Sequence, residues 1–419
     1  MPKHSYRLLF LISFNNGLDH ITPVIHRCAA SGDVQADVYV EDGVSSADYR
    51  IGILRALDGV EVVHAGADAK ALRARERTVG MLRRIGRRLP VKRLEGIYNR
   101  HLHSRPGLTI PARYLRRTYD AVAFDWTRAS RPQTAEFVAQ VGAPAVVLPH
   151  GHQSFTNAVT THSSFERTLR GMGDNAGGIM RSSVRDGLEP RWDQYPHFLY
   201  PSTLTAQQRG HHPDDPGVQI LGSPRYNRVW IDLLSEVVGT PTEDAGDALR
   251  VLMLPRRADF YVHRRACRDT VRLIAALDGC ELVIQEHPRA PLFDDSAFKE
   301  LDSVRIVRDP TASARLTRWA DVVVSLGTSL EFEMLMLGKP ALALEYCHAN
   351  RSMLSEYFPA YSMQTIEHLG KTLQQMVTGV DSHLPDPDHM DAFIDAEIAP
   401  AGEPVLDRWS EALRQIASG

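Results

Sequence analysis

The chain has 419 residues, more than one ordinary core holds, and this length points to two domains. Hydrophobic residues make up 43% and charged residues 24%, a soluble globular composition, and a net charge of −3 removes any global electrostatic case for nucleic acid. The four cysteines (Cys28, Cys267, Cys280 and Cys347) form no CxxC pair and no metal-like spacing, so they read as reduced structural thiols of a cytoplasmic protein.

In chain order, the apolar run Leu8–Ile12 is too short for a signal peptide or a transmembrane helix and reads as part of a first strand from Arg7 to Phe14. Asn15-Asn16-Gly17-Leu18-Asp19-His20 reads as the loop after it. Pro23 then lies early in a helix, and Ala36 to Val40 is the next strand, closing a βαβ unit. Asn16 and His20 thus fall at a carboxyl sheet edge, where open α/β sheets place ligands. Glu41-Asp42-Gly43 ends the second strand and resembles the base-bearing motif of bacterial sialyltransferases, which makes Glu41 and Asp42 candidate bases. Strand-ending turns also carry acidic residues for purely local reasons.

Residues 70–118 hold 15 Lys and Arg against two acidic residues, Glu76 and Glu95. Met81, Leu82, Ile85, Leu89, Leu94, Ile97 and Tyr98 interleave at roughly helical spacing, so the segment reads as a basic amphipathic insertion suited to an anionic membrane surface. A solvated helical face with carboxylate partners elsewhere would look the same.

Further parallel strands are predicted at 120–126 and 145–148, with a helix at 133–141 between them. The second delivers Pro149-His150-Gly151-His152 and then Asn157 to the carboxyl edge. His150 is a candidate general base, because an unperturbed imidazole titrates near cytoplasmic pH. Residues 153–215 read as irregular connections around one strand, 197–200. After a strand at 218–221, Gly222-Ser-Pro-Arg-Tyr-Asn227, a helix at 228–238 and a polar linker to Gly246, the domain boundary is expected.

The alternation then restarts. Strands at 249–254 and 281–285 end in Pro255-Arg256-Arg257 and Glu286-His287-Pro-Arg289, with a helix at 264–277 between them. After a strand at 304–307 and a helix at 312–319, residues 321–344 read as strand, Gly327-Thr328-Ser329 turn, helix, Gly338-Lys-Pro340 stop and strand, a βαβ crossover. Gly327 admits close backbone approach, while Thr328 and Ser329 offer hydroxyls beside the N–H groups of a helix start, an anion-friendly place. Glu331 follows in the first turn, able to complement the dipole or to grip sugar hydroxyls. Arg256, His287 and Arg289 converge on the same edge, a pattern that points to a nucleotide.

His150-Gly151, Gly222–Asn227, His287-Pro-Arg289, Gly327–Glu331 and Gly338–Pro340 occur in an order that resembles GT-B-type transferases of bacterial surface carbohydrate synthesis, notably the CDP-glycerol glycerophosphotransferase family and surface-polysaccharide glycosyltransferases. UDP-N-acetylglucosamine 2-epimerases are more distantly similar. The resemblance implies an α/β fold of two Rossmann-like domains facing a cleft. The expected boundaries are an acceptor-side domain at 1–238, a nucleotide-donor domain at 239–404 and a C-terminal helical segment at 405–419. It also implies donor phosphates at His287 and Ser329 and the acceptor at His150.

The sequence contains no GxSxG, HExxH or GxxxxGK[ST] motif, and Asp386-Pro-Asp388 reads as a loop, so neither a metal nor another cofactor is expected. The expected activity is a glycosyltransferase moving a sugar from a nucleotide-sugar donor to a cell-surface glycan or lipid-linked acceptor at the inner face of the membrane. Glycerophosphoryl transfer, nucleotide-sugar epimerisation and a non-catalytic carbohydrate-binding or scaffold role are the alternatives.

Overall fold

The computed structural model describes residues 6–41, 44–65, 114–129, 131–149, 151–156, 194–239, 246, 248–256, 262–287, 291–294, 297–301, 303–348 and 350–419. The basic insertion falls almost wholly outside the described residues, as do Asp42, His150, Asn157 and Arg289.

The first sheet contains β1 (Tyr6–Ile12), β2 (Val34–Val40), β3 (Val60–His64), β4 (Ala121–Asp125), β5 (Ala145–Leu148), β6 (His197–Tyr200) and β7 (Val218–Ile220), in the order β3-β2-β1-β4-β5-β6-β7. Its central strands are continuous apolar runs because helices cover both faces of a parallel sheet. The helices are α1 (Asn15–Ala30), α2 (Tyr49–Arg55) and α3 (Pro132–Val141). The predicted loop after β1 is corrected. Asn15-Asn16-Gly17 form the first turn of α1, whose bonding begins with the Leu18 amide on the Phe14 carbonyl at 3.0 Å, and buried Leu18, Ile21, Ile25 and Cys28 give it a core face.

The second sheet is parallel throughout, in the order β10-β9-β8-β11-β12-β13, from β8 (Leu249–Leu254), β9 (Cys280–Gln285), β10 (Val304–Val307), β11 (Val322–Ser325), β12 (Ala341–Leu344) and β13 (Ser362–Met363). Around it run α4 (Arg228–Val238), α5 (Arg264–Ala275), α6 (Ser313–Trp319) and α7 (Leu330–Met336). The chain closes with α8 (Val405–Ser418). Asp386-Pro-Asp388 is not a loop: Asp386 accepts the amides of Asp388 and His389 and caps the helix Pro387–Phe393.

The chain divides into two compact units, one drawn from Met1–His150, Glu189–Leu199 and Asp407–Gly419, the other from Gly151–Leu188 and Tyr200–Leu406. Among the described residues, no helix is long and apolar enough to cross a membrane.

Candidate functional site

In the second sheet the chain lays β9 and β10 on one side of β8, then returns to place β11 on the other. A crevice therefore opens between the carboxyl ends of β8 and β11, the usual ligand position in open α/β sheets. β8 delivers Arg256 to it, and β11 delivers the Gly327-Thr328-Ser329 turn.

That turn is closed on itself. Ser325 Oγ accepts the amides of Gly327 and Thr328, both at 3.1 Å, and Gly327 adopts φ +72°, a left-handed conformation that favours glycine. The expected free amide at Thr328 is thus already engaged, a correction that the strand-end position of Ser325 explains. Ser329 has helical geometry and its side chain caps nothing.

The Gly327 carbonyl accepts Ser154 Oγ at 2.8 Å and Arg256 Nη1 at 3.2 Å, and the Arg256 guanidinium lies over the Phe155 ring at 4.2 Å. Phe155 packs so closely on Gly327 that a Cβ there would lie 2.2 Å from two ring carbons. Two backbone bonds, Thr156 amide to Arg351 carbonyl at 3.2 Å and Met353 amide to Ser154 carbonyl at 2.9 Å, fix the segment that carries it. Residues expected to be mere connection thus form one wall.

Glu331 is wholly buried. Its Oε1 receives the Ser352 hydroxyl at 3.5 Å, and burial, aided by Glu345 and opposed by Ser325, Arg256 and Ser352, pushes its pKa up to about 8. Glu345, placed by the end of β12, accepts the Ser352 amide at 3.0 Å and the Ser355 hydroxyl, and burial raises it also. Burial, with Arg256 adding to it, holds His348 neutral, its pKa lowered to about 3. Sequence reasoning missed Ser154, Phe155, Glu345 and His348. The rule applied to His150, a polar side chain just past a buried strand, would have found Glu345 and His348.

His287 is half-buried at the carboxyl end of β9, in a loop organised by Glu286, whose carboxylate accepts the amides of Leu292 and Phe293 at 2.8 Å. The structure therefore joins Arg256, Gly327, Thr328, Ser329 and Glu331 in one place and puts His287 one strand away on the same edge.

Two motifs are architectural. Gly222, at φ +95°, passes so near Ile398 that a Cβ would sit 2.7 Å from its carbonyl oxygen, and Asn227 caps α4 while donating to Glu403 at 3.0 Å. Lys339 donates to the carbonyls of Thr317, Arg318 and Ala320 around the end of α6, and burial lowers its pKa to about 8.

In the first sheet the corresponding crevice lies between β1 and β4, and buried Asp125 fills it, accepting the amides of Ser13, Thr127 and Arg128 at 2.9, 2.8 and 3.1 Å. Glu41, at the end of β2, is buried between Arg128 and Arg131, the latter at 2.8 Å; burial raises its carboxyl against the pull of both guanidiniums. Held this way, Glu41 ties Arg128 and Arg131 to the sheet edge. Asn16 is exposed on α1, and His20 is buried in the same helix. His152, beside His150, is a core residue that meets Glu397 at 3.2 Å and the Phe332 ring edge-on.

No protein-family model and no curated protein sequence matches the chain. Solved structures do. An S. aureus MnaA–UDP co-structure aligns with TM-score 0.56 at 9% identity, over 99% of this chain and 97% of that one. UDP-GlcNAc 2-epimerase from Neisseria meningitidis bound to UDP-GlcNAc gives 0.55 at 10%, over 98% of each. The wall teichoic acid polymerase TagF gives 0.50 at 12%, over 100% of this chain and 90% of that one. The fold is GT-B-like. Similarity at such identities is a statement about architecture, and the chemistry has to come from the side chains. Among the described residues no cluster of three or more His, Cys, Asp or Glu could hold a metal ion.

Proposed function

We propose that the protein is a glycosyltransferase that binds a nucleotide-activated sugar at the second sheet and transfers the sugar to a cell-surface glycan or lipid-linked acceptor. The observation that carries this reading is the β8/β11 crevice, where a cation (Arg256), hydroxyls (Thr328, Ser329) and a buried acid (Glu331) meet at the place where such sheets take nucleotides. Arg256 and His287 stabilise the departing nucleotide electrostatically, as loss of an anionic leaving group requires. His150 takes the acceptor hydroxyl proton, and no metal is needed.

A nucleotide-sugar panel tests the reading. A true donor at 100 times its dissociation constant should add about 2.7 kcal/mol to stability. Incubation with an acceptor extract should release the nucleotide, in EDTA as well as without it; a panel without any stabilising member would reject the proposal. His150→Ala should then slow release while leaving nucleotide affinity near wild type, and full turnover in that variant would remove the base assignment.

A second reading is nucleotide-sugar 2-epimerisation, the activity named for one protein of like architecture. Proton exchange at C2 of UDP-GlcNAc without acceptor would select it; incorporation of glycerol phosphate from a CDP-linked donor would select glycerophosphoryl transfer.

A further inference from the structure

Glu331 Oε2 and His348 Nε2 are among the buried side-chain atoms of the second unit that meet no hydrogen-bond partner among the described residues. Native interiors pair most such atoms, and these two stand out because contacts through Phe155 and Ser352 link both residues to Arg256. We propose that Arg256, Glu331 and His348 form a donor-only pocket for one phosphate group of the nucleotide, with His348 a binding residue that no motif marks. The inference rests on the nucleotide reading above and names the groups that hold its phosphate.

His348 Nδ1 accepts the Asn350 amide at 3.2 Å, which leaves the proton of the neutral ring on Nε2. Nε2 is therefore a donor. Phe155 ties the three residues together: Arg256 lies over its face, His348 meets its edge with centroids 5.2 Å apart, and it bridges Ser352, whose hydroxyl reaches Glu331. Glu331 is faced by Ser325 from β11, by Arg256 from beyond β8, and by Ser352 and Glu345 from beyond β12. Burial and Glu345 outweigh the rest, so at neutral pH the carboxyl keeps its proton and donates through Oε2. Sugar hydroxyls would need acceptors as well as donors. A phosphate oxygen needs donors alone. The Gly327 and Thr328 amides are committed to Ser325, which leaves these side chains to do the holding.

Calorimetric titration of the full chain with UDP, CDP and inorganic pyrophosphate, at pH 7.5 and 9.0, tests the pocket. Because binding requires the Glu331 proton, nucleotide affinity should fall roughly five- to tenfold between the two pH values in the wild type and stay level in Glu331→Gln. His348→Phe, which keeps the ring contact and loses the donor, should bind at least tenfold more weakly. His348→Gln, which restores a donor, should recover most of that loss. Melting curves of each variant confirm folding. Nucleotide bound equally by His348→Phe and equally at both pH values would overturn the pocket and leave the nucleotide reading standing. Pyrophosphate bound in a His348-dependent way without nucleotide binding would uphold the pocket and end the nucleotide reading. Absence of binding by all three probes would sink both.

Discussion

Gly327→Ala should destabilise the second unit by about 2–5 kcal/mol, because two independent costs fall on one methyl group. An L-residue at φ +72° carries roughly 1–2 kcal/mol of backbone strain, and overpacking a filled site adds about 1–3 kcal/mol. Phe155 cannot step aside cheaply, since its backbone is paired with 351–353 and its ring lies between Arg256 and His348. Urea unfolding followed by circular dichroism reads the loss. Phe155→Ala in the same chain should recover the clash component but not the strain, so the double variant should fall short of additivity. A single variant as stable as the wild type would show that the ring does not sit on this glycine.

Glu331→Gln should make the protein more stable above pH 8. An unfolded glutamate releases its proton near pH 4.5, whereas the folded Glu331 keeps its own until about pH 8. Between those values the native state binds the extra proton, so stability falls as pH rises through the window and the full cost is present above it. The shift corresponds to a cost on the order of 5 kcal/mol at pH 9. Glutamine never ionises, so the variant should lack this slope while matching the wild type near pH 5. Denaturation midpoints across pH 5–9 decide it, and parallel profiles for the two proteins would refute the buried-acid assignment.

Much of the scaffold was legible in the sequence for a simple reason. Ala145–Leu148, His197–Tyr200, Leu249–Leu254, Val304–Val307 and Ala341–Leu344 are strands read to the residue, because short apolar or aromatic runs with polar ends have few other uses in an α/β chain. β3 escaped notice: Val60-Glu-Val-Val-His64 is a half-buried edge strand whose pattern is weak. At the site, Arg256, the Gly-Thr-Ser turn and Glu331 were visible because strand ends announce them. Phe155 was not, since its partners are Gly327 and residues 351–353, about 170 to 200 positions away, and nothing local records such a pairing. The free-amide expectation failed for an equally local reason, a serine at a strand end that turned back on its own loop.

The route of α8 bears on how the chain is made. Its last residues belong to the first unit: Trp409 and Leu413 are fully buried, Asp407 pairs with Arg27, Arg414 lies 3.8 Å from Asp33, and Ser418 Oγ donates to the Tyr6 hydroxyl at 3.0 Å. On a ribosome, domains generally fold in the order in which they emerge. Here the first unit draws one of its elements from a segment made after every strand of the second sheet. A first unit folding in that order stays open at the end of α1, where Arg27 takes its partner Asp407 from 380 positions later, until the second sheet has been made.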